Sequence, residues 1–369
     1  MRTNSIPVLV DTSPHKDVEM LILAARKGFL TELIALRVAP TMRLGNSGSR
    51  VYRVQADLDG SLPSRYFYAK VGPKTRLLDE DHAYKVHIDK KIANVPNAWC
   101  VENRKEACLC YGAVGSDHSE VTPLSDYLMG SMEVPADKIC RAIEGTYANL
   151  SPFQKASSEG EIQWFENYKW YLRWERTLDF LEKWLGKADC RRRSLSWGGR
   201  TLVSPLLKIR QLAAEKIQAK VRLRPVHGDL HQKNIILEKI GEELNPWVID
   251  FGWTRVFHNL VDYALLEASL KLFHFAPFFS EERFLSLHDF LQDESATPKL
   301  RFSSQEAACL KLITLIRRKA RREILSPLAW PEEYYLSSLL VSMGLLCIPT
   351  CSRRMGWLAS SWFASHLGS

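Results

Sequence analysis

No run of about 20 apolar residues, the length a membrane-spanning helix needs, occurs in this chain. The nearest candidate, Tyr334 to Cys347, is interrupted by Ser337, Ser338 and Ser342 and is closed by Pro349, so it reads as a buried helix of a water-soluble domain. The N-terminus lacks the basic-then-apolar order of a secretion signal, because Asp11, His15, Lys16 and Asp17 break it early. Eight cysteines are scattered. Only Cys108/Cys110 and Cys347/Cys351 come close together, and neither pair has a second pair at zinc-like spacing. Free buried thiols in a reducing cytoplasm are the expectation. Internal repeats and low-complexity tracts are absent as well.

Charge of one sign is also missing. Lys and Arg number 50 against 42 Asp and Glu, a formal charge of +8 over 369 residues. The basic runs are local: Arg191–Arg193, and Arg317, Arg318, Lys319, Arg321 and Arg322 on an expected helix, where a solvated helix face is the simplest reading. A nucleic-acid-binding regulator would rest on these runs alone, so nucleic acid is not the expected partner.

What is present, 46% apolar and 25% charged residues, is ordinary for a soluble globular protein, and the length suits two lobes, each with a core. Residues 15–37 read as one or two amphipathic helices, so 1–39 is expected to be an N-terminal helical extension. From Met42 the period shortens. Val51–Val54, Tyr66–Val71 and Ala107–Tyr111 read as strands, and about 75–92 as a helix. Beyond Leu124 the chain reads mainly as helix. The apolar stripe of Ile162–Leu185 and the run Leu206–Lys220 are expected helices, and short strands return at Ile235–Leu237 and Trp247–Ile249. The expected organisation is a β-rich lobe at 40–122 and a helical lobe at 123–369, an α+β fold.

The chemistry concentrates in Val226-His227-Gly228-Asp229-Leu230-His231-Gln232-Lys233-Asn234 and the strand after it, and in Asp250-Phe251-Gly252 at the end of a second strand. Any one of Asp229, Asn234 and Asp250 alone could be a turn or cap residue. Together they suit phosphoryl transfer, which needs a placed acceptor oxygen and oxygen ligands for a hard divalent ion. A His227/His231 metal pair would need a helix, and Gly228 disfavours one there.

These strings resemble the catalytic core of the aminoglycoside-phosphotransferase and choline-kinase branch of the protein-kinase-like superfamily, whose members read H-G-D-x-x-x-x-N. The motif-bearing part spans about residues 40–265. The resemblance implies a two-lobed protein-kinase-like fold with a small antiparallel N-lobe. It also implies roles: Asp229 as the base that receives the acceptor's proton, with His227 bracing the loop, and Asn234 and Asp250 as Mg²⁺ ligands. A glycine-containing loop, Gly45-Asn46-Ser47-Gly48, would offer backbone N–H groups to the phosphates of ATP or GTP. Lys70, in Tyr68-Ala69-Lys70-Val71, would contact the α- and β-phosphates. Glu80 would orient it, with Asp79 and Asp81 as competing choices.

After Gly252 the chain passes quickly to Val261-Asp262-Tyr263-Ala264, which resembles the Asp-x-Ala element whose Asp braces the catalytic loop in small-molecule kinases. No A-P-E follows, leaving little room for a peptide-docking activation segment, so a small-molecule hydroxyl acceptor is expected. From Trp253 onward basic residues slightly outnumber acidic ones, which argues against a polycationic acceptor. Similar D-F-G-W-T-R strings resemble the ternary-complex-associated kinase-like domains of bacterial conflict and signalling systems. That implies the alternative of a regulatory or pseudokinase nucleotide-binding module with a protein partner, although Lys70, Asp229 and Asn234 are all retained.

Overall fold

The protein is represented by a computed structural model that describes residues 8–10, 17–29, 33–40, 49–59, 63–115, 120–130, 135–292 and 301–368. Its residues fall into two compact units, Met1–Val121 with Ile236–Thr254, and Thr122–Ile235 with Arg255–Ser369. The segment that carries Asp250 thus groups with the first unit.

The first unit is built on a six-stranded sheet. Its order is Val8–Val10, Leu33–Pro40, Arg50–Leu58, Arg65–Pro73, Glu106–Gly112 and Ala98–Glu102. The first pair is parallel and the others are antiparallel. Along Arg50–Leu58 the residues Tyr52, Val54, Ala56 and Leu58 alternate into the core, the period of a half-buried strand. The helix Val18–Gly28 buries Met20, Leu21, Ala24 and Ala25 in that core.

The N-terminal segment departs from its helical reading. Among the described residues there, Val18–Gly28 is helix, while Leu33–Pro40 is a strand paired with Arg50–Leu58. The pairing shifts register between Leu33 and Ala35, so the buried residues Leu33, Leu36 and Val38 are spaced three and then two apart. That irregular spacing imitates a helical stripe in sequence. The N-terminal segment is part of the first unit's core, tied in by Asp17. This buried carboxylate receives Arg50 in a two-pronged pair at 2.6 and 2.8 Å, and the Tyr52 hydroxyl at 2.7 Å.

The second unit is largely helical, around Glu332–Leu345, which is buried on nearly every side. Among the described residues no helix is long and apolar enough to cross a membrane. Two expected helices are shorter than the sequence suggested. Ile162 and Gln163, expected at the start of a helix, end the strand Ser158–Gln163, and the rest splits into Trp164–Leu172 and Trp174–Leu185 at Arg173, whose φ is +48°. Likewise Pro205–Glu215 ends at left-handed Lys216 (φ +49°), and Gln218–Val226 is a strand. It is the central strand of an antiparallel sheet, between Arg255–His258 and Ser158–Gln163, and it delivers His227.

The solvated-face reading of the 317–322 run holds for only part of it. Arg317 is 1% exposed and forms a buried ion pair with Glu267, whereas Arg318 lies near Glu144 at the surface.

Candidate functional site

In the first unit, the strand Arg65–Pro73 alternates Phe67, Ala69 and Val71 into the core and carries Lys70 between them. The Lys70 ammonium donates to Glu80 Oε1 at 2.8 Å and to Asp250 Oδ1 at 2.7 Å. Among Asp79, Glu80 and Asp81 it is therefore Glu80 that bonds Lys70. The helix Lys74–His87 turns Glu80 inward, one turn before Tyr84 on the same buried face. Burial works against the charged lysine, but the carboxylates of Asp250 and Glu80 outweigh it and raise the Lys70 pKa above its usual value.

Tyr111 was not singled out from the sequence. Its hydroxyl donates to Glu80 Oε1 at 2.6 Å, and its ring lies 5.5 Å from the Lys70 ammonium. Burial, then the Glu80 charge, pushes its phenol far up, so it stays a donor. The signal was strand alternation: Tyr68 pairs with Tyr111 two residues from the Lys70–Leu109 pair, which puts Lys70 and Tyr111 within diagonal reach.

Asp250 follows the strand Glu243–Val248, which is tied to the unit by the Asn94 side chain bonding Asn245 at 2.9 Å and by Val248 N–H donating to Asn94 O. Its φ is +66°, a left-handed conformation that non-glycine residues seldom adopt and that clusters at functional positions. Gly252 lies against Glu80; a Cβ there would come within 2.9 Å of Glu80 Oε2, so a side chain would push Glu80 off Lys70. The expected phosphate loop residues Gly45, Ser47 and Gly48 lie outside the described residues.

In the second unit, the catalytic-loop string is pinned by one carboxylate. Asp262, 2% exposed at the start of the helix Val261–Ser269, accepts the His227 N–H at Oδ2 and the Gly228 N–H at Oδ1, each at 2.8 Å. Gly228 has φ +81°, which lets two successive N–H groups converge on Asp262 without a Cβ penalty. Burial raises the Asp262 pKa; His227 and the two backbone donors oppose that rise.

The loop then closes on itself. Asp229 N–H donates to His227 Nδ1 at 3.2 Å, and Asn234 Nδ2 donates to the Asp229 carbonyl at 2.9 Å. His231 accepts the Lys233 N–H at Nδ1, which leaves its proton on Nε2, 3.7 Å from Asp229 Oδ2. The Asp229 side chain is about a third exposed, at 35%. The result is a carboxylate held on a fixed backbone and still reachable from solvent.

Each unit by itself offers an oxygen ligand of the kind Mg²⁺ takes. Asp250 retains a carboxylate that is 40% exposed. Asn234 commits its amide nitrogen to Asp229, leaving its carbonyl oxygen as the group a cation would take. Among the described residues no three His, Cys, Asp or Glu side chains gather as a metal cage. Mg²⁺ commonly needs none, since it binds through one or two carboxylates together with substrate phosphates.

Comparison with known proteins agrees with this architecture. Residues 173–342 match the family model described as ternary complex associated domain 9. The apo form of a thermostable mutant of an aminoglycoside phosphotransferase is 12% identical, covering 95% of this chain and 100% of that one with a TM-score of 0.50. The ternary complex of that enzyme's mutant with ADP and hygromycin B is 11% identical over 95% and 99%, with a TM-score of 0.49. Choline kinase from Cryptosporidium parvum is 12% identical over 94% and 93%, with a TM-score of 0.46. No curated protein is similar enough in sequence to match. The chain has the kinase-like α+β fold of the aminoglycoside phosphotransferase, with an antiparallel N-terminal sheet region and a helical C-terminal region.

Proposed function

We propose that this chain is a Mg²⁺-dependent phosphotransferase that moves the γ-phosphoryl group of ATP, or of GTP, to a hydroxyl of a small-molecule acceptor. The observation that carries this reading is Lys70 bonded to both Glu80 and Asp250. A lysine fixed by a glutamate on the next helix and by the aspartate of D-F-G is the arrangement that kinase-type phosphoryl transfer uses.

In this reading Lys70 holds the α- and β-phosphates, Glu80 and Tyr111 keep its ammonium in place, and the backbone of Gly45, Ser47 and Gly48 covers the phosphates. Asp250 and Asn234 would hold Mg²⁺, which when bound neutralises phosphate charge. Asp229 receives the acceptor hydroxyl's proton as the new O–P bond forms and the bond to the nucleoside diphosphate breaks. His227 and Asp262 fix the backbone that presents Asp229. The work is positioning and electrostatics, for which a rigid loop is the chief requirement. The setting proposed is the cytoplasm.

The test is a thermal-shift titration of ATP and GTP, with and without Mg²⁺, on wild type and Asp250→Ala, alongside ADP or GDP release with a panel of alcohols. Wild type is expected to show a Mg²⁺-dependent shift that Asp250→Ala loses. Asp229→Ala is expected to keep the shift and lose about 10²–10⁴-fold in turnover, the usual range for a positioned base. Unchanged turnover in Asp229→Ala would remove it as the base.

The match to a ternary-complex-associated domain favours one second reading, a kinase-like regulatory module that binds nucleotide and a protein partner without turnover. Nucleotide binding with no phosphate transferred to any acceptor would select it.

A further inference from the structure

Arg255 is a cation beside the catalytic-loop segment that this mechanism does not use. It opens the strand Arg255–His258 and pairs with Val226, the residue just before His227-Gly228-Asp229. Three rings surround its guanidinium: Phe257 at 4.9 Å, Tyr171 at 5.3 Å and Trp170 at 6.0 Å. Burial pushes the Tyr171 phenol far up; Arg255 opposes that and Asp229 reinforces it, so both charges lie within electrostatic range of one hydroxyl.

Arg255 Nε and Nη2 are buried and meet no carboxylate or other acceptor at full hydrogen-bond geometry among the described residues; a looser side-chain bond with the Tyr171 hydroxyl is their polar contact. These two nitrogens share one edge of the guanidinium, the edge whose parallel N–H groups match the two oxygens of a carboxylate or phosphate. At three other arginines that edge is filled, while the buried Nε of Arg224 also lacks a partner among the described residues. Arg50 gives it to Asp17, Arg317 gives it to Glu267 at 2.9 and 2.8 Å, and Arg283 gives it to Glu306. Charged donors buried without an acceptor are rare in folded proteins and call for a water, an ion or a ligand. Among the described residues no carboxylate supplies the oxyanion for Arg255.

We propose that the Nε/Nη2 edge of Arg255 receives an oxyanion of the acceptor, so that the alcohol this enzyme phosphorylates carries a carboxylate or a phosphate group beside the reacting hydroxyl. The proposal rests on the phosphotransferase reading and names the acceptor's class. An anionic group held at Arg255, across one strand pairing from the segment that leads into Asp229, would orient the hydroxyl toward that base. The edge is closed from solvent, so the oxyanion enters as the rings part. Trp170, 57% exposed, is the wall with room to move.

The test uses the full chain with Mg²⁺·ATP and follows ADP release with hydroxy acids such as glycerate, with glycerol 3-phosphate, with neutral polyols and with amino alcohols. The expected acceptors are the anionic alcohols, and the glycerate and glycerol 3-phosphate arms distinguish carboxylate from phosphate. Arg255→Gln should raise KM for the accepted anion about 100-fold, the scale for losing one partner of a buried charge pair. It should change kcat only a few-fold and leave the nucleotide shift intact. Arg255→Lys should restore only part of the loss, because an ammonium lacks the fork. Preference for neutral or cationic alcohols, or an unchanged KM in Arg255→Gln, overturns the proposal.

If Arg255→Gln does not fold, Trp170→Ala at its exposed position should raise the same KM. If no alcohol turns over, the arginine Nε–H NMR signals of the wild type titrated with acetate and inorganic phosphate decide the matter. Movement of the signal that is missing from Arg255→Lys supports the site, whereas a signal unmoved by either anion, as when only a water fills the edge, overturns it. Absence of any nucleotide shift defeats the phosphotransferase reading instead, and the anion titration still reports on Arg255.

Discussion

Lys70 in the first unit sits between two carboxylates; Glu267 in the second sits between two cations. Glu267 Oε1 accepts from Lys271 at 2.6 Å and Arg317 at 2.8 Å, and its Oε2 accepts from Arg317 at 2.9 Å and Tyr334 at 2.7 Å. The two triads have similar bond lengths and differ in burial chiefly at one member, since Lys70 and Glu80 are 16% and 7% exposed. Glu267, Lys271 and Arg317 are each 1% exposed, whereas the Asp250 side chain at Lys70 is 40% exposed. Arg317 and Lys271 hold the Glu267 carboxyl well below its usual range against burial, and burial pulls the Lys271 ammonium down to about 8. No member of the Glu267 triad can change partners without leaving a buried charge alone. At Lys70, Asp250 is exposed enough to turn from the ammonium to a cation, and the ammonium can then pass to a phosphate without losing a charged partner. Burial, more than hydrogen-bond length, separates an ion cluster that holds a fold from one that can do chemistry.

The largest expected effect breaks the buried triad. Glu267→Gln keeps the shape but leaves Lys271 and Arg317 as uncompensated buried charges, so unfolding free energy should fall by about 3–5 kcal/mol. Urea denaturation of the full chain measures it; a loss below about 1 kcal/mol would mean that water reaches the cluster.

The next effect sharpens the contrast from the other side. Lys70→Met should weaken Mg²⁺·ATP binding about 100-fold, the order expected when a desolvated charge contact to a phosphate is removed. Stability should fall by less than in Glu267→Gln, because Asp250 can turn to water and the buried Glu80 carboxylate keeps Tyr111 as a donor. Isothermal titration and urea denaturation on one preparation separate the two. A stability loss equal to that of Glu267→Gln would make Lys70 a structural residue.

These clusters were not equally legible in sequence. Lys70, Asp229, Asn234, Asp250 and Asp262 stand in short strings whose order is itself the signal, because tight turns and strand ends fix such residues locally. The Glu267 cluster has no string: Arg317 is 50 positions from Glu267 and hides in a run that reads as a solvated face. Helix 304–323 sends one arginine of that run inward, and only the packing of distant helices determines which. Misread strands have a similar cause. Over six to nine residues, as in Leu33–Pro40 or Gln218–Val226, a bulge or a mixed apolar run carries too few periods to separate 2.0 from 3.6. Arg255 was invisible because a missing partner leaves no trace in sequence.

Between the two triads lies the pair Arg283–Glu306. Its carboxylate is 3% exposed and its guanidinium 32%, and Glu306 also closes a capping box with Ser303 at the start of the helix Ser304–Glu323. The Arg283 bond, opposed by burial and helped by Ser303, lowers the Glu306 pKa from the ordinary 4.5 to about 2. A depressed carboxylate pKa stabilises the fold above the unfolded value and loses that contribution as pH falls through the folded one, here from about 4.5 toward 2. Glu306→Gln retains the capping amide but removes the charge. The variant should therefore be less stable than wild type at neutral pH, by less than Glu267→Gln loses, and the gap should shrink as the pH falls through that window. Urea midpoints at pH 7, 4.5 and 3 measure it. A gap that stays constant down to pH 3 would assign the contribution to the cap's geometry and place Arg283–Glu306 outside the graded series that burial otherwise orders.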